Sequence, residues 1–336
     1  LPRTSTERDS IGAFVRARFG DEVQEYLVDS LVGSIYASDT DRFSLAEVPQ
    51  LAALATANRS MLLAARRQRA AQGTATAASS PIFAAPRDGM VALVEATRAA
   101  IVEGGGEVRT ASAVGTVERG PAGRWRVLLD DDGPLDDVDA VILATPAAAA
   151  ADVVADVAAE AARELRRAET ADVIMVTMHV DGAVWPDRLR GLSGYLVPKP
   201  VQRHVTAASF ASQKWGHWRP PAGGEILRVS LGRDGRPVLH LTDDEVVGHV
   251  LDDLERHLGV AFAPTETRIT RWPGAFAQYR PHHRDWVAAV DRALPAGIAV
   301  TGAAFGGIGI PACVRSGSAV AARAATHLEG LAGSPS

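Results

Sequence analysis

Between Ile298 and Leu328 the chain reads IAVTGAAFGGIGIPACVRSGSAVAARAATHL, a short apolar strand that passes through clustered glycines straight into an alanine-rich helix. A strand feeding glycines and then a helix N-terminus leaves backbone N–H groups unpaired and aims the positive end of the peptide dipoles at one spot. That junction favours an anionic or strongly polar ligand. Gly307, Gly309 and Ala312 satisfy GxGxxG/A spacing, but the unit sits near the end of the chain with no later strand to bring an acidic ribose contact. It is therefore not a first dinucleotide fingerprint. On spacing alone, close packing of strand against helix is an equally good account of these glycines.

The rest of the chain changes texture several times. From Ser10 to Leu31, apolar residues at three- and four-residue steps predict two helices interrupted at Gly20 and Asp21. Ala46–Gln72 is helical in composition, and GTATAASSP, from Gly73 to Pro81, is expected to be a mobile connection. Residues 86–108 predict a turn, an amphipathic helix from Met90 to Val102, a glycine stop and a strand near Val108. Short strands at Ala113–Val117 and Arg124–Leu129 follow, then an acidic turn between Asp130 and Asp139 and a buried strand, AVILATP. Helix, hairpin and apolar strand together predict part of an α/β domain.

After Glu169 the runs VIMVTMHV, GYLVP, HVTAASF and ILRVSLG are spaced for an antiparallel sheet, closed by a helix over Thr242–Leu258 whose leucines and valines share one stripe. From Thr265 the pattern gives a strand, a loop containing Arg271, Trp272 and Tyr279, and a helix near Asp285–Ala293.

Composition removes whole classes of function. With 35 basic and 40 acidic residues the net charge is −5, so no cationic excess exists to hold a nucleic acid by counterion release. No uninterrupted apolar run reaches the length of a membrane span, which predicts a soluble protein. A lone cysteine, Cys313, fits a reducing cytoplasm and excludes multi-cysteine structural zinc. The opening LPRTSTERDSIGAF lacks the basic start and apolar core of a signal peptide, and the chain is expected to begin mid-protein.

Six segments occur in one order: SIYASDTDRFSL at Ser34–Leu45, RDGMVALVEA at Arg87–Ala96, AVILATPAAAAA at Ala140–Ala151, QKWGHWRP at Gln213–Pro220, TRWPGAFAQY at Thr270–Tyr279 and VTGAAFGGIGIPACVRSG at Val300–Gly317. Through them the chain, from about Ser10 to Leu328, resembles the FAD-dependent porphyrinogen oxidases of haem biosynthesis. The resemblance implies an α/β fold of the amine-oxidase type, a discontinuous FAD-binding domain with an inserted substrate domain. It assigns residues 1–82 and 170–264 to the substrate domain and 83–169 and 265–330 to the FAD domain, with the initial GxGxxG unit absent. The bare chain is then expected to hold FAD weakly or not at all.

By the same resemblance, Val114 meets the adenine end of FAD, Trp272 lies near the flavin, and the segment Gly306, Gly307, Ile308 and Gly309 contacts the flavin. Ile35 lines the porphyrinogen pocket. The sequence departs from the family where glycines are common at Ser34, Ser38 and His282, and where Ala312 replaces an aspartate.

The implied reaction is oxidation of coproporphyrinogen III to coproporphyrin III, six electrons in three steps at CH–CH groups with dioxygen as acceptor. Gram-positive-type members resemble the chain more than mitochondrial ones. Protoporphyrinogen IX is the alternative substrate. Other readings are a flavin amine oxidase or desaturase, or, in a different class, a fragment that holds no flavin. Expected partners are the porphyrinogen and dioxygen, with peripheral membrane contact left open, no nucleic acid and a cytoplasmic location.

No residue is singled out as a catalytic acid or base, and GxSxG and HExxH patterns are absent. His249, Asp253 and His257, at i, i+4 and i+8, are expected to form a solvated helix face rather than a metal site. His282 and His283 take a loop role, Cys313 packs beneath the glycine loop, and Trp215 and Trp218 beside Lys214 and Arg219 pack in the substrate region.

Overall fold

In the computed structural model of the chain, residues 8–57, 63, 66, 67, 70, 84–130 and 133–332 are described. They divide into two units, each assembled from separated stretches. The first takes Leu1–Asp41, Val48–Val108 and Ala171–Ala275; the second takes Arg42–Glu47, Arg109–Thr170 and Phe276–Ser336. The mobile connection expected at Gly73–Pro81 lies outside the described residues.

In chain order the helices used below are α1 (Ile11–Phe19), α2 (Pro49–Ala57), α3 (Val91–Glu103), α4 (Ala147–Val153), α5 (Ala159–Leu165), α6 (Asp243–Leu258), α7 (His283–Ala293) and α8 (Ile310–Ala332). The strands are β1 (Val114–Arg119), β2 (Trp125–Leu129), β3 (Leu135–Val138), β4 (Val141–Leu143), β5 (Thr170–Val180), β6 (Gly194–Leu196), β7 (Val205–Phe210), β8 (Glu225–Leu231), β9 (Glu266–Ala277) and β10 (Ile298–Val300).

The first unit is built on the sheet β6-β7-β8-β5-β9, with antiparallel pairing of β6 to β7, β7 to β8 and β8 to β5. Alternation sends Ile174, Val176 and Met178 of β5 and Leu227, Val229 and Leu231 of β8 into one core with Val246, Val250 and Leu254 of α6. A capping box starts α6, the Thr242 hydroxyl accepting from the Glu245 amide (3.3 Å) while the Thr242 amide donates to the Glu245 carboxylate (2.8 Å).

Two expectations change here. The predicted loop at Arg271 and Trp272 is strand, because β9 runs unbroken through Pro273. As an edge strand, β9 tolerates the proline's missing N–H. The second predicted helix continues from Asp21–Val23 into π-type hydrogen bonding over Gln24–Gly33, which buries Gln24, Asp29 and Ser30.

The polar face of α6 is not simply solvated either. The buried Asp253 carboxylate accepts from the amides of His204 (3.0 Å) and Val205 (2.9 Å), and His249 stacks on His204 with ring centroids 3.6 Å apart. The Tyr195 hydroxyl meets His257 Nδ1 at 3.1 Å.

Burial, with His249 adding to it, holds the His204 pKa below its ordinary value, and burial does the same for His257. Burial tends to raise Asp253, but the two amides and Arg256 outweigh it and the net shift is downward. All three groups therefore bind protons more readily unfolded than folded, so stability is present above the unfolded pKa values and is lost as pH falls. The unfolding temperature should drop from about pH 6.5, where the unfolded histidines begin to charge, and again below about pH 4. Calorimetry from pH 8 to 4 checks this; a flat profile is incompatible with it.

In the second unit β4 and β10 pair in parallel, Ile298 opposite Val141 and Val300 opposite Leu143, and the antiparallel sheet β1-β2-β3 stands beside α4. Strand β3 occupies part of the stretch expected to be one acidic turn. The core joins Val117 and Trp125 to the alanines of α4 and α5, Val290 of α7, and Ile298 and Val300. Arg42–Glu47 belongs here because Phe43 packs on Tyr279 (5.5 Å between centroids) and the Ser44 amide donates to the Tyr279 carbonyl (2.7 Å). Helix α3 buries none of its residues, and no strand forms at Val108.

Candidate flavin site

The second unit turns the glycine-rich sequence into a cradle of main-chain donors. After β10, the Thr301 amide donates to the Leu143 carbonyl (2.9 Å), and the chain turns through Gly302 into the single turn Ala303–Gly306. Gly302, Gly307 and Gly309 have φ of 113°, 108° and 106°, a region open in practice only to glycine. Among the described residues the amides of Gly307, Ile308 and Gly309 meet no acceptor, and α8 begins immediately afterwards. Cys313 does sit beneath this loop, its thiol directed to the Gly307 carbonyl at 3.8 Å.

Two side chains hold the entry to the cradle. Tyr279, buried between Phe43 and His283, donates its hydroxyl hydrogen to the Ala303 carbonyl. His283 Nε2 lies 2.9 Å from the Ala304 carbonyl, so this nitrogen carries the proton. Trp286 extends the stack onto Phe305 (5.6 Å, 12° between planes) and anchors its own indole N–H on the Glu164 carbonyl (2.8 Å).

The expected loop role does not hold for His283, which opens α7 and turns its ring to the Ala304 carbonyl. His282 stands where the family favours glycine, and its φ of 64° supplies the reason: the chain is left-handed there. This clamp was not singled out from sequence, although the spacing of Tyr279 and His283 was its only available signal. Tyr279→Phe should lower stability by about 1 kcal/mol, the usual worth of one hydrogen bond, read as a shift in the urea midpoint. An unchanged midpoint would remove Tyr279 from the account of the loop.

A cavity of about 690 Å³ opens beside the clamp, lined by Arg167, Glu169, Gln278, Arg280, His282 and Trp286 among others. Its charges are largely satisfied internally: Glu169 pairs with Arg280 (2.5 Å) and Arg42 (3.0 Å), and Arg167 pairs with Glu164 (2.5 Å). That saturation makes it a poor anion receptor.

The remaining sequence-derived positions divide between the units. Val114 opens β1 in the second unit, opposite Leu129 at a register shift, and is 40% exposed. Trp272, on β9, and Ile35, just before the left-handed Ala37, belong to the first unit and are 52% and 53% exposed. Each is therefore exposed rather than packed in a core. Among the described residues no group of three His, Cys, Asp or Glu side chains is placed to hold a metal ion, and no helix is long and apolar enough to cross a membrane.

The family model for flavin containing amine oxidoreductases matches residues 2–325. The chain belongs to that family. It is 30% identical over 345 residues to the coproporphyrinogen III oxidase of Bacillus subtilis strain 168, covering 98% of this chain and 70% of the relative. It is 33% identical over 307 residues to the coproporphyrinogen III oxidase of Mycobacterium tuberculosis H37Rv, covering 91% of this chain and 64% of the relative.

A crystal structure from Exiguobacterium sp. 255-15, assigned as a protoporphyrinogen oxidase, superposes with a TM-score of 0.80 at 27% identity, over 98% of this chain and 69% of that one. The chain thus spans about two thirds of the length of these relatives. Membership brings FAD as the cofactor, and the residues present fit it. Unbonded amides at Gly307, Ile308 and Gly309, with no Cβ at the two glycines to hold a ring away, suit the electron-rich edge of a flavin.

Proposed function

We propose that the chain is the larger part of a coproporphyrinogen III oxidase, which removes six electrons from its substrate in three two-electron steps and passes them to dioxygen. The observation that carries this reading is the row of unpaired amides at Gly307, Ile308 and Gly309, in a chain whose curated relatives bear that name. When bound, FAD supplies the redox chemistry, accepting the equivalent of a hydride at each step and returning electrons to oxygen.

The protein's part is orientation. The clamp of Tyr279 and His283 fixes Ala303 and Ala304, so the amides that follow are set before any ligand arrives and need no reorganisation when charge develops. Within the same reading Trp272 is an apolar wall for the flavin, Val114 a contact at its adenine end and Ile35 a wall for the macrocycle. Each overall turnover removes six hydrogen atoms from the substrate and converts three dioxygen molecules to three hydrogen peroxide molecules. No side chain is required to attack the substrate covalently.

The test supplies coproporphyrinogen III anaerobically to the full-length, flavin-loaded gene product and then admits air. Porphyrin fluorescence should rise with three peroxide per porphyrin. A flavin-loaded preparation that leaves this substrate untouched while oxidising an amine overturns the reading. Protoporphyrinogen IX, assayed in parallel, decides between the tetracarboxylate and the dicarboxylate. The cellular compartment is proposed to be the cytoplasm, on the strength of the single cysteine.

A further inference from the structure

The core of the first unit uses one face of the five-stranded sheet, which leaves the alternate residues on the other. There the ladder sets two neighbouring cross-strand rows. Gly194, Ser209, Arg228 and Thr177 make one row; Leu196, Ala207, Ser230 and Met175 make the other. A polar, cationic row thus runs beside a largely apolar one. A cavity of about 370 Å³ lies over them, and Lys214, from the helical turn after β7, joins its lining.

Charge makes this cavity distinct in an acidic chain. It has two cations and no carboxylate in its lining, and among the described residues neither Arg228 nor Lys214 has an acidic partner. Both cations instead lie against indoles, Arg228 at 5.5 Å from the Trp218 ring centre and Lys214 at 5.7 Å from that of Trp215. Stacking of this kind restrains the stems while leaving the N–H groups available to an acceptor. Ser193 and Ser209 add hydroxyls, with no partner among the described residues. Glycine at 194 is required, because a Cβ there would lie 2.2 Å from the Ala208 carbonyl oxygen.

We propose that this cavity binds the carboxylates of an apolar polycarboxylate, with Arg228 and Lys214 as the charged contacts and Leu196, Ala207 and Met175 as the apolar floor. Resting on the function proposed above, the ligand is the porphyrinogen and the groups held are its propionates. Arg228 presents the planar fork that matches a carboxylate, and Lys214 a movable point charge. Four propionates offer this pair more than two do, so the site favours coproporphyrinogen over protoporphyrinogen.

The test uses full-length, flavin-loaded protein and titrates coproporphyrin III, the stable tetracarboxylate product, alongside protoporphyrin IX, following porphyrin fluorescence. Arg228→Met should weaken coproporphyrin binding about ten-fold and Lys214→Met several-fold, as loss of a charge-assisted hydrogen bond does. Arg228→Lys should recover part of the loss, and protoporphyrin should be affected less. KM for coproporphyrinogen should rise in step, with kcat within two-fold and flavin content unchanged.

Unaltered dissociation constants in both methionine variants, or a parent protein that binds no coproporphyrin, overturn the proposal. Should Arg228→Met fail to fold, Lys214→Met and Arg228→Lys still decide, together with the parent's own salt dependence, which must weaken binding between 50 and 500 mM on the order of several-fold. A protein that oxidises coproporphyrinogen with no response to these substitutions retires the site and keeps the activity. One that binds coproporphyrin through Arg228 without oxidising coproporphyrinogen retires the activity and keeps the site.

Discussion

Arg233→Met is expected to destabilise the protein by about 3–5 kcal/mol, the largest single loss among the substitutions considered, because it strands a carboxylate inside the first unit. Asp29 is fully buried, and Arg233 is 5% exposed. The guanidinium meets Asp29 at 2.8 Å and donates to the Ser38 carbonyl, with Gln202 Oε1 at 3.4 Å. Asp29 in turn accepts from the amide (3.2 Å) and hydroxyl (2.7 Å) of Thr40.

Removing the cation leaves the buried carboxylate with only the amide and hydroxyl of Thr40 to offset its desolvation. Asp29→Leu alone should cost a similar amount by leaving the guanidinium unpaired. The double variant should lie closer to the parent than either single one, since no buried charge then remains. Urea unfolding of the four proteins measures the cycle. Single-variant losses below about 1 kcal/mol would show that the pair is solvated, contrary to its burial.

Gly307→Val is expected to abolish retention of the flavin with a smaller effect on folding. At φ 108° a β-branched residue adopts a conformation that costs of order 1–3 kcal/mol, and the new Cβ would lie 3.2 Å from that of Ala312. Relief of that strain rotates the peptides whose amides form the cradle. Full-length protein carrying this substitution should emerge from desalting with less than about a tenth of the parent's flavin absorbance, a change of roughly 1.4 kcal/mol or more in binding. Its unfolding midpoint should shift by no more than the strain. Retention of full flavin would mean that these amides do not face the ring.

Much of this was legible in the sequence because it rests on local chemistry. Gly307 and Gly309 between an apolar strand and an alanine-rich helix announce the cradle, and the stripe of Val246, Val250 and Leu254 announces α6. Thr242 and Glu245 stand at capping-box spacing.

What stayed hidden is tertiary. Asp29 and Arg233 are 204 residues apart, and no spacing rule joins them. Asp253 reads as part of a wet helix face until the ends of β7 bring two amides to it. Arg228 reads as one charge in an alternating strand, and only the register that sets it opposite Ser209 shows a row of like character. Trp272 reads as part of a loop; the fold keeps it in a strand by putting Pro273 on an edge.

The clamp on Ala303 and Ala304 also ties the glycine turn to a separate stretch of the chain. The two carbonyls are gripped from 24 and 21 residues upstream, so the turn that follows is held by more than its own helix. Closing those two loops costs conformational entropy, which the bonds and the packing of Tyr279 and His283 must offset. A substitution that frees either side chain would thus loosen a glycine turn that it does not itself form.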